Sequence, residues 1–384
     1  MRETESRSGR PTFAEVDLEC LRHNVRLLRA RCAAAGSFMA VVKADAYGHG
    51  ALAVARAALE AGADWLGVAL LEEGVALRQA GIAAPLLVLG WTPAGRAAEV
   101  VAADLDQAVF CEEDARAFAA AAQACGRRAR LHAKLDTGMG RLGWPARRPR
   151  EQAAAAAVIA RVAALPGVEL AGVFSHLASA DEADLAGARA QLTCLRAVLS
   201  GLAERGVRPR LRHLANTAAI LQLPEAHLDL VRAGIGLYGY RPSDEVFDPG
   251  LRPVLRWHTR VAQLRLLRAG DGVSYNATYR ADAVEPVATL PVGYADGWSR
   301  ALSNRGHVLL DGRRAPIRGR VCMDQTVVSL AGCGPVRAGD PVVLLGVQGE
   351  ASQWADDVAR QLGTISYEVL CAIGARVPRV HTGR

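Results

Sequence analysis

Lys43 lies in an apolar run, residues 39–46, where an ammonium is costly unless it loses its proton or is consumed chemically. Condensation of its amine with an aldehyde, giving a Schiff base, does both. Further along the chain, other ionisable groups stand at the ends of successive apolar segments: Lys134 and Asp136 running into Arg141, then His176, then Asn216 with Thr217, then Arg232 followed by Gly234. Such a set suits an anionic cofactor and an anionic substrate, and the net charge of +7 points the same way.

The elements that position these groups follow from the hydrophobic pattern. Strands are predicted at 37–44, 65–70, 85–90, 107–110, 129–136, 170–177, 211–216 and 230–239. Ala- and Leu-rich segments of helical period separate them, as in 21–30, where Leu21, Val25 and Leu28 share a face behind an N-cap candidate at Asp17. Eight strands alternating with helices over residues 11–240 predict a parallel (β/α)8 barrel, which gathers its reactive groups at the C-terminal strand ends. A doubly wound open sheet would need a Gly-rich fingerprint after an early strand, and the sequence has none.

At 241–250 the texture changes: Pro242, Asp244, Asp248, Pro249 and Gly250 read as a linker opening a second domain, 241–384. That domain is expected to be mainly β. Asp271-Gly272 and Asp311-Gly312 are hairpin-type dipeptides, 307–310, 327–330 and 341–345 read as strands, and a helix over 354–362 stops at Gly363. The fold class is thus α/β, an N-terminal barrel with a C-terminal mainly-β domain, preceded by a flexible polar segment, 1–10.

A chain of 384 residues is ample for two domains. No apolar run approaches the roughly 18 residues of a membrane span, and the polar start MRETESRSGR is no secretory signal, so no membrane association and a cytoplasmic location are expected. The eight cysteines form no Cys-x-x-Cys pair and keep no zinc-type spacing with histidine; mostly buried thiols, no disulfide framework and no metal are expected. Without a Lys/Arg block interleaved with aromatics, no nucleic-acid partner is expected either.

Beyond these readings, nine segments in chain order resemble motifs of the alanine racemase family. The first is 42–50, VKADAYGHG, around Lys43. The barrel half continues with 132–143, 175–178, 213–217, and 231–235 with Tyr238 and Gly239. In the second domain follow 273–275, 293–297, 319–325 and 363–368.

The resemblance implies a fold-type III pyridoxal-phosphate enzyme that interconverts L- and D-alanine, supplying D-alanine for peptidoglycan. It implies that Lys43 holds the cofactor and is one catalytic base, and that Tyr275, from the partner subunit of a homodimer, is the other. His176 and Arg232 would link to Tyr275 by hydrogen bonds, with Arg232 facing the pyridine nitrogen. Thr217, Tyr47, Tyr367 and the backbone N–H groups of Gly234 and Ile235 would hold the phosphate, with Asn216 beside them. Arg141 and the backbone of Met323 would hold the substrate carboxylate, and Lys134 matches a family lysine often carbamylated. Tyr294 would line the entry passage, while His213 and Asp324 would support the site. The chain departs from the usual pattern at Leu177, Asn276, Ser366 and His381, none of them a proton-transfer residue. The alternatives are a racemase of broader specificity, one that accepts serine for example, a barrel-type amino-acid decarboxylase, and a non-enzymatic pyridoxal-phosphate carrier. The Gly-rich phosphate loop and C-terminal Cys-Asp of the decarboxylases are missing, and the carriers are single-domain chains.

Overall fold

A computed structural model describes residues 9–32 and 36–383. Most of the segment expected to be flexible, 1–10, therefore lies outside the described residues. The chain divides into two compact units, one formed by 21–46 and 51–252, the other by 1–20, 47–50 and 253–384.

The first unit is the expected barrel. Its eight strands run Ser37–Val41, Trp65–Val68, Leu86–Val88, Asp106–Val109, Ala129–Asp136, Val168–Phe174, Leu211–His213 and Leu230–Ala233. The first seven pair in parallel, each with the next, and the eighth pairs in parallel with the first. Between the seventh and eighth strands the ring is bridged by two hydrogen bonds, Asp229 N–H to Arg212 O and Arg232 N–H to Ala215 O, both 3.0 Å. Helices cover the outer face of the barrel and packed side chains fill its interior, so these strands are apolar throughout rather than alternating; Trp65–Val68 and Leu86–Val88 are buried at every position. Met39, Trp65, Leu87, Leu211 and Leu230 pack as one core cluster.

Except for the fifth, Ala129–Asp136, the strands are shorter at their C-terminal ends than predicted. The predicted 37–44 stops at Val41, and 230–239 stops at Ala233 before a short 3-10 turn, Ile235–Tyr238. The cause is that site-bearing residues follow a strand as a turn while the apolar composition continues. After Lys43 the backbone takes a left-handed course, with φ of 53°, 51°, 54° and 53° at Ala44, Asp45, Ala46 and Tyr47. Four consecutive non-glycine residues in that region are costly, each by about 1–2 kcal/mol.

The second unit is mainly β, as expected. Its largest sheet orders the strands Arg313–Pro316, His307–Leu310, Pro341–Gln348, Leu255–Arg260, Phe13–Asp17 and Arg379–Thr382. A second sheet joins Gln263–Leu267, Glu285–Leu290 and Thr326–Ser329. Residues 13–17, which the sequence reading assigned to the barrel segment, form a strand of the large sheet, antiparallel to 255–260 and parallel to 379–382. The alternation predicts this: Ala14 and Val16 are buried while their neighbours are not, the pattern of a half-covered sheet and not of a barrel strand.

Local details follow the sequence with two exceptions. Asp17 caps the helix Leu18–Arg29, its Oδ1 accepting N–H from Glu19 and Cys20 at 3.0 and 3.1 Å. Asp311 and Gly312 form a two-residue hairpin turn with φ of 53° and 70°. Asp271-Gly272 does not join paired strands: 263–267 pairs with 285–290, and Gly272–Val273 pairs instead with Tyr279–Arg280. Nor are the thiols buried. Six of the eight free cysteines are half-buried and Cys125 and Cys371 are exposed. The segment 241–252 is tied to the barrel, since Asn24 donates to Arg252 O at 2.8 Å and accepts from Arg252 N–H at 2.9 Å.

Candidate active site

Arg232 is 4% exposed on the last barrel strand. A buried guanidinium must have its donors met. Nη1 donates to His213 Nδ1 at 2.9 Å, and Nη2 to Ser175 O at 2.9 Å, Leu214 O at 3.1 Å and His176 Nδ1 at 3.3 Å. Nε–H has no protein acceptor among the described residues. Burial lowers this arginine to about 10, which still leaves it charged at neutral pH.

Lys134, on the fifth strand, is buried with its Nζ 4.9 Å from the centre of the Phe174 ring, and the Arg232 guanidinium is 5.4 Å from the same ring. Burial first, then the charges of Arg232, Arg141 and Lys43, lower Lys134 to about 7, with Asp136 opposing. His176 is held well below the usual imidazole value by burial and then by Arg232, Lys134, Arg141 and Lys43. It is neutral at physiological pH, and because Arg232 must donate to Nδ1, the ring proton sits on Nε2. Lys43, Lys134, Arg141, His176 and Arg232, picked out separately in the sequence, thus share one electrostatic environment.

Local backbone chemistry places these groups. Glu73 accepts N–H from Ala44 at 2.6 Å, from Ala69 at 2.7 Å and from Leu70 at 3.1 Å, so one carboxylate fixes the turn after Lys43 and the end of the second strand. Asp136 accepts from Gly138 and Gly140 N–H at 3.0 and 2.9 Å, shaping the loop that presents Arg141. Gly143 closes that loop at φ 127°, where a Cβ would lie 2.4 Å from Leu135 C. Arg141 is exposed and has no hydrogen-bond or ion-pair partner among the described residues.

After the seventh strand, Asn216 caps the short helix Thr217–Gln222 by accepting Ala219 N–H at 3.1 Å. Thr217 Oγ1 accepts N–H from Gly234 at 3.0 Å and Gly236 at 3.4 Å. Gly234 N–H, expected to face a phosphate, is therefore engaged by Thr217. Its donation leaves the Thr217 hydroxyl proton and Ile235 N–H without protein acceptors among the described residues. Gly236 cannot be larger, since a Cβ would meet Thr217 Cγ2 at 2.7 Å.

Three unused donors (Arg232 Nε–H, the Thr217 hydroxyl and Ile235 N–H) beside a group of four cations fit a ligand that carries an aromatic nitrogen and an anionic ester. Pyridoxal phosphate has both.

The other candidates belong to the second unit. Tyr47 is buried, its ring centre 5.9 Å from that of Tyr367, and burial pushes its phenol up. Gly48 must be glycine: at φ 80° a Cβ would stand 2.6 Å from Leu370 O. Tyr275 is 70% exposed and flanked by left-handed residues, Ser274 at φ 61°, Asn276 at 63° and Ala277 at 44°. Asparagine is the non-glycine residue that tolerates this region best, which accounts for Asn276. A cavity of about 450 Å³ is lined by Ser274, Tyr275, Cys322, Met323, Asp324 and Gln325.

The loop carrying Met323 is pinned from beneath. Tyr294 N–H donates to Cys322 O and Ala295 N–H to Met323 O, both at 3.0 Å, and Gly293 leaves no room for a Cβ, which would be 2.2 Å from Cys322 O. Arg376 bridges buried Asp296 at 2.7 Å and Asp324 at 2.6 Å, so Asp324 anchors the loop. His381, another departure, donates from Nε2 to His49 O at 2.9 Å. Ser366 and Leu177 are both buried.

Sequence reasoning passed over Glu73, Phe174 and Asp106 and gave His132 no role. Glu73 had a signal, as the third residue of a helix, a position that often turns back to the preceding backbone. Phe174 looked like ordinary strand filling.

The chain is similar to known proteins over nearly its whole length. Residues 16–242 match the family model for the N-terminal domain of alanine racemase, and 254–381 match that for its C-terminal domain. The chain is 50% identical over 375 residues to the alanine racemase of Symbiobacterium thermophilum, covering 97% of this chain and 98% of that one. It is 46% identical to the alanine racemase of Desulfovibrio desulfuricans over 373 residues, with 97% and 98% covered. Among solved structures it is similar to the alanine racemase of D-cycloserine-producing Streptomyces lavendulae, with a TM-score of 0.90, 44% identity and 98% of both chains covered. The Bacillus anthracis alanine racemase with bound L-Ala-P matches with a TM-score of 0.91 at 39% identity, covering 97% of this chain and 95% of that one.

Proposed function

The chain belongs to the alanine racemase family, and from that premise we propose that it interconverts L-alanine and D-alanine with pyridoxal phosphate, supplying D-alanine for peptidoglycan. The observation that carries this reading is the buried Arg232, clustered with Lys134, Lys43 and Arg141 and left with one N–H for a ligand. The match to both halves of the family argues against the single-domain carrier.

When bound, pyridoxal phosphate supplies the aldehyde and the electron-withdrawing ring that acidify the substrate Cα–H. Lys43 would hold the aldehyde, and its amine would take or return the proton on one face of the substrate Cα. Racemisation needs a second base on the opposite face, and we assign it to Tyr275 of a second copy of the chain. Its exposure on its own chain supports a role toward a partner. The pair would be a symmetric homodimer with two shared sites.

His176, neutral with its proton on Nε2, can donate to the Tyr275 oxygen and favour its ionised form. Arg232 Nε–H would donate to the ring nitrogen without surrendering its proton, which limits charge withdrawal and favours return of the proton to Cα over transamination. Arg232 in turn is held by His213. Thr217, Ile235, Tyr47 and Tyr367 would hold the phosphate, with Gly234, bonded to Thr217, and Asn216 shaping the turn. Arg141 and Met323 N–H would grip the substrate carboxylate, and Tyr294 would border the entrance. A carbamate on Lys134 would turn a repelling cation into an anion that steadies Arg141.

Borohydride reduction of the purified protein, followed by peptide mapping, tests the anchor, and a coupled assay with D-alanine tests the reaction. Label on Lys43 and turnover of both enantiomers are expected. A colourless protein that takes up no pyridoxal phosphate, or one that leaves D-alanine untouched, refutes the reading.

A further inference from the structure

Beneath Arg232 and the His213 that holds it, the run of polar groups continues into the barrel interior with His132 and Asp106, which have no place in the chemistry just described. Arg232 Nη1 is 2.9 Å from His213 Nδ1, His213 Nε2 is 2.9 Å from His132 Nδ1, and His132 Nε2 is 3.1 Å from Asp106 Oδ2. Asp106, His132 and His213 are all buried, at 1%, 0% and 0% exposure. Buried polar groups in a barrel core are costly, so a fully linked set of three calls for a reason.

We propose that Asp106 is a remote positioning residue for Arg232, acting through two imidazoles that it holds in one tautomer each; this rests on the role given to Arg232 above.

The polarity of the chain follows from its ends. Arg232 can only donate, so His213 Nδ1 must accept and the His213 proton lies on Nε2. His213 Nε2–H then donates to His132 Nδ1, and His132 Nε2–H donates to the Asp106 carboxylate. All three hydrogen bonds point the same way, from guanidinium to carboxylate, and no proton has to move. Reversing His213 would set its Nδ1–H against an N–H of Arg232, and reversing His132 would set its Nδ1–H against Nε2–H of His213. Protonating His213 would do the same, and this imidazole lies well below its usual range through burial and the adjacent Arg232.

The surroundings are built for this arrangement. His213 stacks on Phe174 with ring centres 4.5 Å apart and planes 3° from parallel. Trp65 meets the His132 ring edge-on at 5.8 Å. Gly172 leaves room for His132, since a Cβ there would lie 2.4 Å from Nδ1. At the far end Asp106 has a second oxygen, which accepts from Arg130 Nε at 2.6 Å, while Arg130 Nη1 pairs with Asp104 at 2.8 Å.

Histidine 15N NMR of the purified holoenzyme reads the tautomers without using turnover. The expected wild-type result is a proton on Nε2 of both His132 and His213, that of His213 unchanged from pH 6 to 9, with scalar coupling between His213 Nε2 and His132 Nδ1 across their hydrogen bond. Asp106→Asn keeps an acceptor oxygen for His132, because Arg130 can fall back on Asp104, and both signals should persist. Asp106→Leu removes the acceptor. It should shift the His213 signal two links away and raise the pyridoxal-phosphate dissociation constant by about tenfold, the worth of a hydrogen bond to a charged group.

A proton on Nδ1 of His213 in the wild type overturns the proposal, and so does an Asp106→Leu variant with unchanged His213 signal and cofactor affinity. The wild-type spectrum decides alone if that variant does not fold. Failure of the racemase reading would show separately, as protein that binds no pyridoxal phosphate while its tautomers stand.

Discussion

The barrel unit and the β-rich unit contribute chemistry in opposite states of completion. Around Arg232 nearly every polar group is met from within the chain: Arg232 holds two imidazoles and two carbonyls, and Phe174 lies against both Arg232 and Lys134. Around Tyr275 the opposite holds. Tyr275, Met323 and Tyr294 are 70%, 53% and 42% exposed, on loops fixed from below but open above. Burial shifts the acidities of the first group, while the second is shaped by backbone strain and glycine contacts. The contrast teaches that one half of the proposed site is preorganised by folding, while the other is held on loops whose side chains stay open to solvent.

Replacing Lys43 tests the preorganised half most severely. Lys43→Ala should lower racemisation by at least ~10⁴-fold, because anchor and base are lost together. Its pyridoxal phosphate should wash out on dialysis. Appreciable turnover without added amine would put the reactive amine elsewhere.

Tyr275→Phe tests the open half. We expect roughly a 10²–10⁴-fold loss of racemisation, the usual worth of a positioned acid–base group. Exchange of the alanine Cα–H with deuterated solvent should continue from the Lys43 face with retention of configuration. Thermal stability should scarcely change, as the side chain is exposed. Equal losses of exchange and racemisation would assign both proton transfers to one base and dissolve the distinction between the halves.

Burial of imidazoles also predicts an acid limb of stability, with two contributions from the barrel and one from the β-rich unit. His176 and His213 are neutral when folded, with acidities well below the usual range, and His258 of the β-rich unit is lowered to about 4. Unfolded, each takes up a proton near pH 6.5. The unfolded state then binds more protons, so the stability present above pH 6.5 is lost as pH falls, by about 1 kcal/mol per histidine per pH unit. Urea midpoints measured from pH 7.5 to 5 check this, and a flat profile would mean that the imidazoles are charged in the native state.

How much of this was legible depends on what a residue answers to. The barrel strands were readable because burial on both faces forces unbroken apolar runs, and Asp17 and Asp311-Gly312 because their local chemistry allows few alternatives. Lys43, Arg232 and Tyr275 stood out through motif resemblance. Asp106 could not be read: it precedes a predicted strand, as many surface aspartates do, and only closure of the barrel brings it to His132. The strand 13–17 was misassigned because chain order is a weak guide when the first strand pairs with residues 255–260 and 379–382. Asp271-Gly272 had turn composition, but pairing is decided by the neighbouring strands.

The finest test concerns Lys134, where the barrel's cation cluster is least settled. Three cations and burial bring this amine to about 7. Near neutrality it is then about half unprotonated, whereas an ordinary lysine is almost wholly charged. Only the neutral amine attacks carbon dioxide, so the carbamate should form readily at pH 7–8 and be lost as pH falls below 7. The product is an anion placed among Arg141, Arg232 and Lys43, which reverses the repulsion that had lowered the amine. Arg141 has no other partner among the described residues, so steadying it should act on substrate capture more than on proton transfer. We therefore expect carbon dioxide-depleted buffer to raise KM for alanine by a modest factor, about 3–10-fold, with kcat nearly constant. Bicarbonate should reverse the effect in the wild type and do nothing for Lys134→Ala. Labelling with 13C-bicarbonate should give a carbamate resonance that this substitution removes. If KM ignores bicarbonate and no resonance appears, Lys134 acts as a plain amine, and the cations around it are balanced by the cofactor and substrate alone.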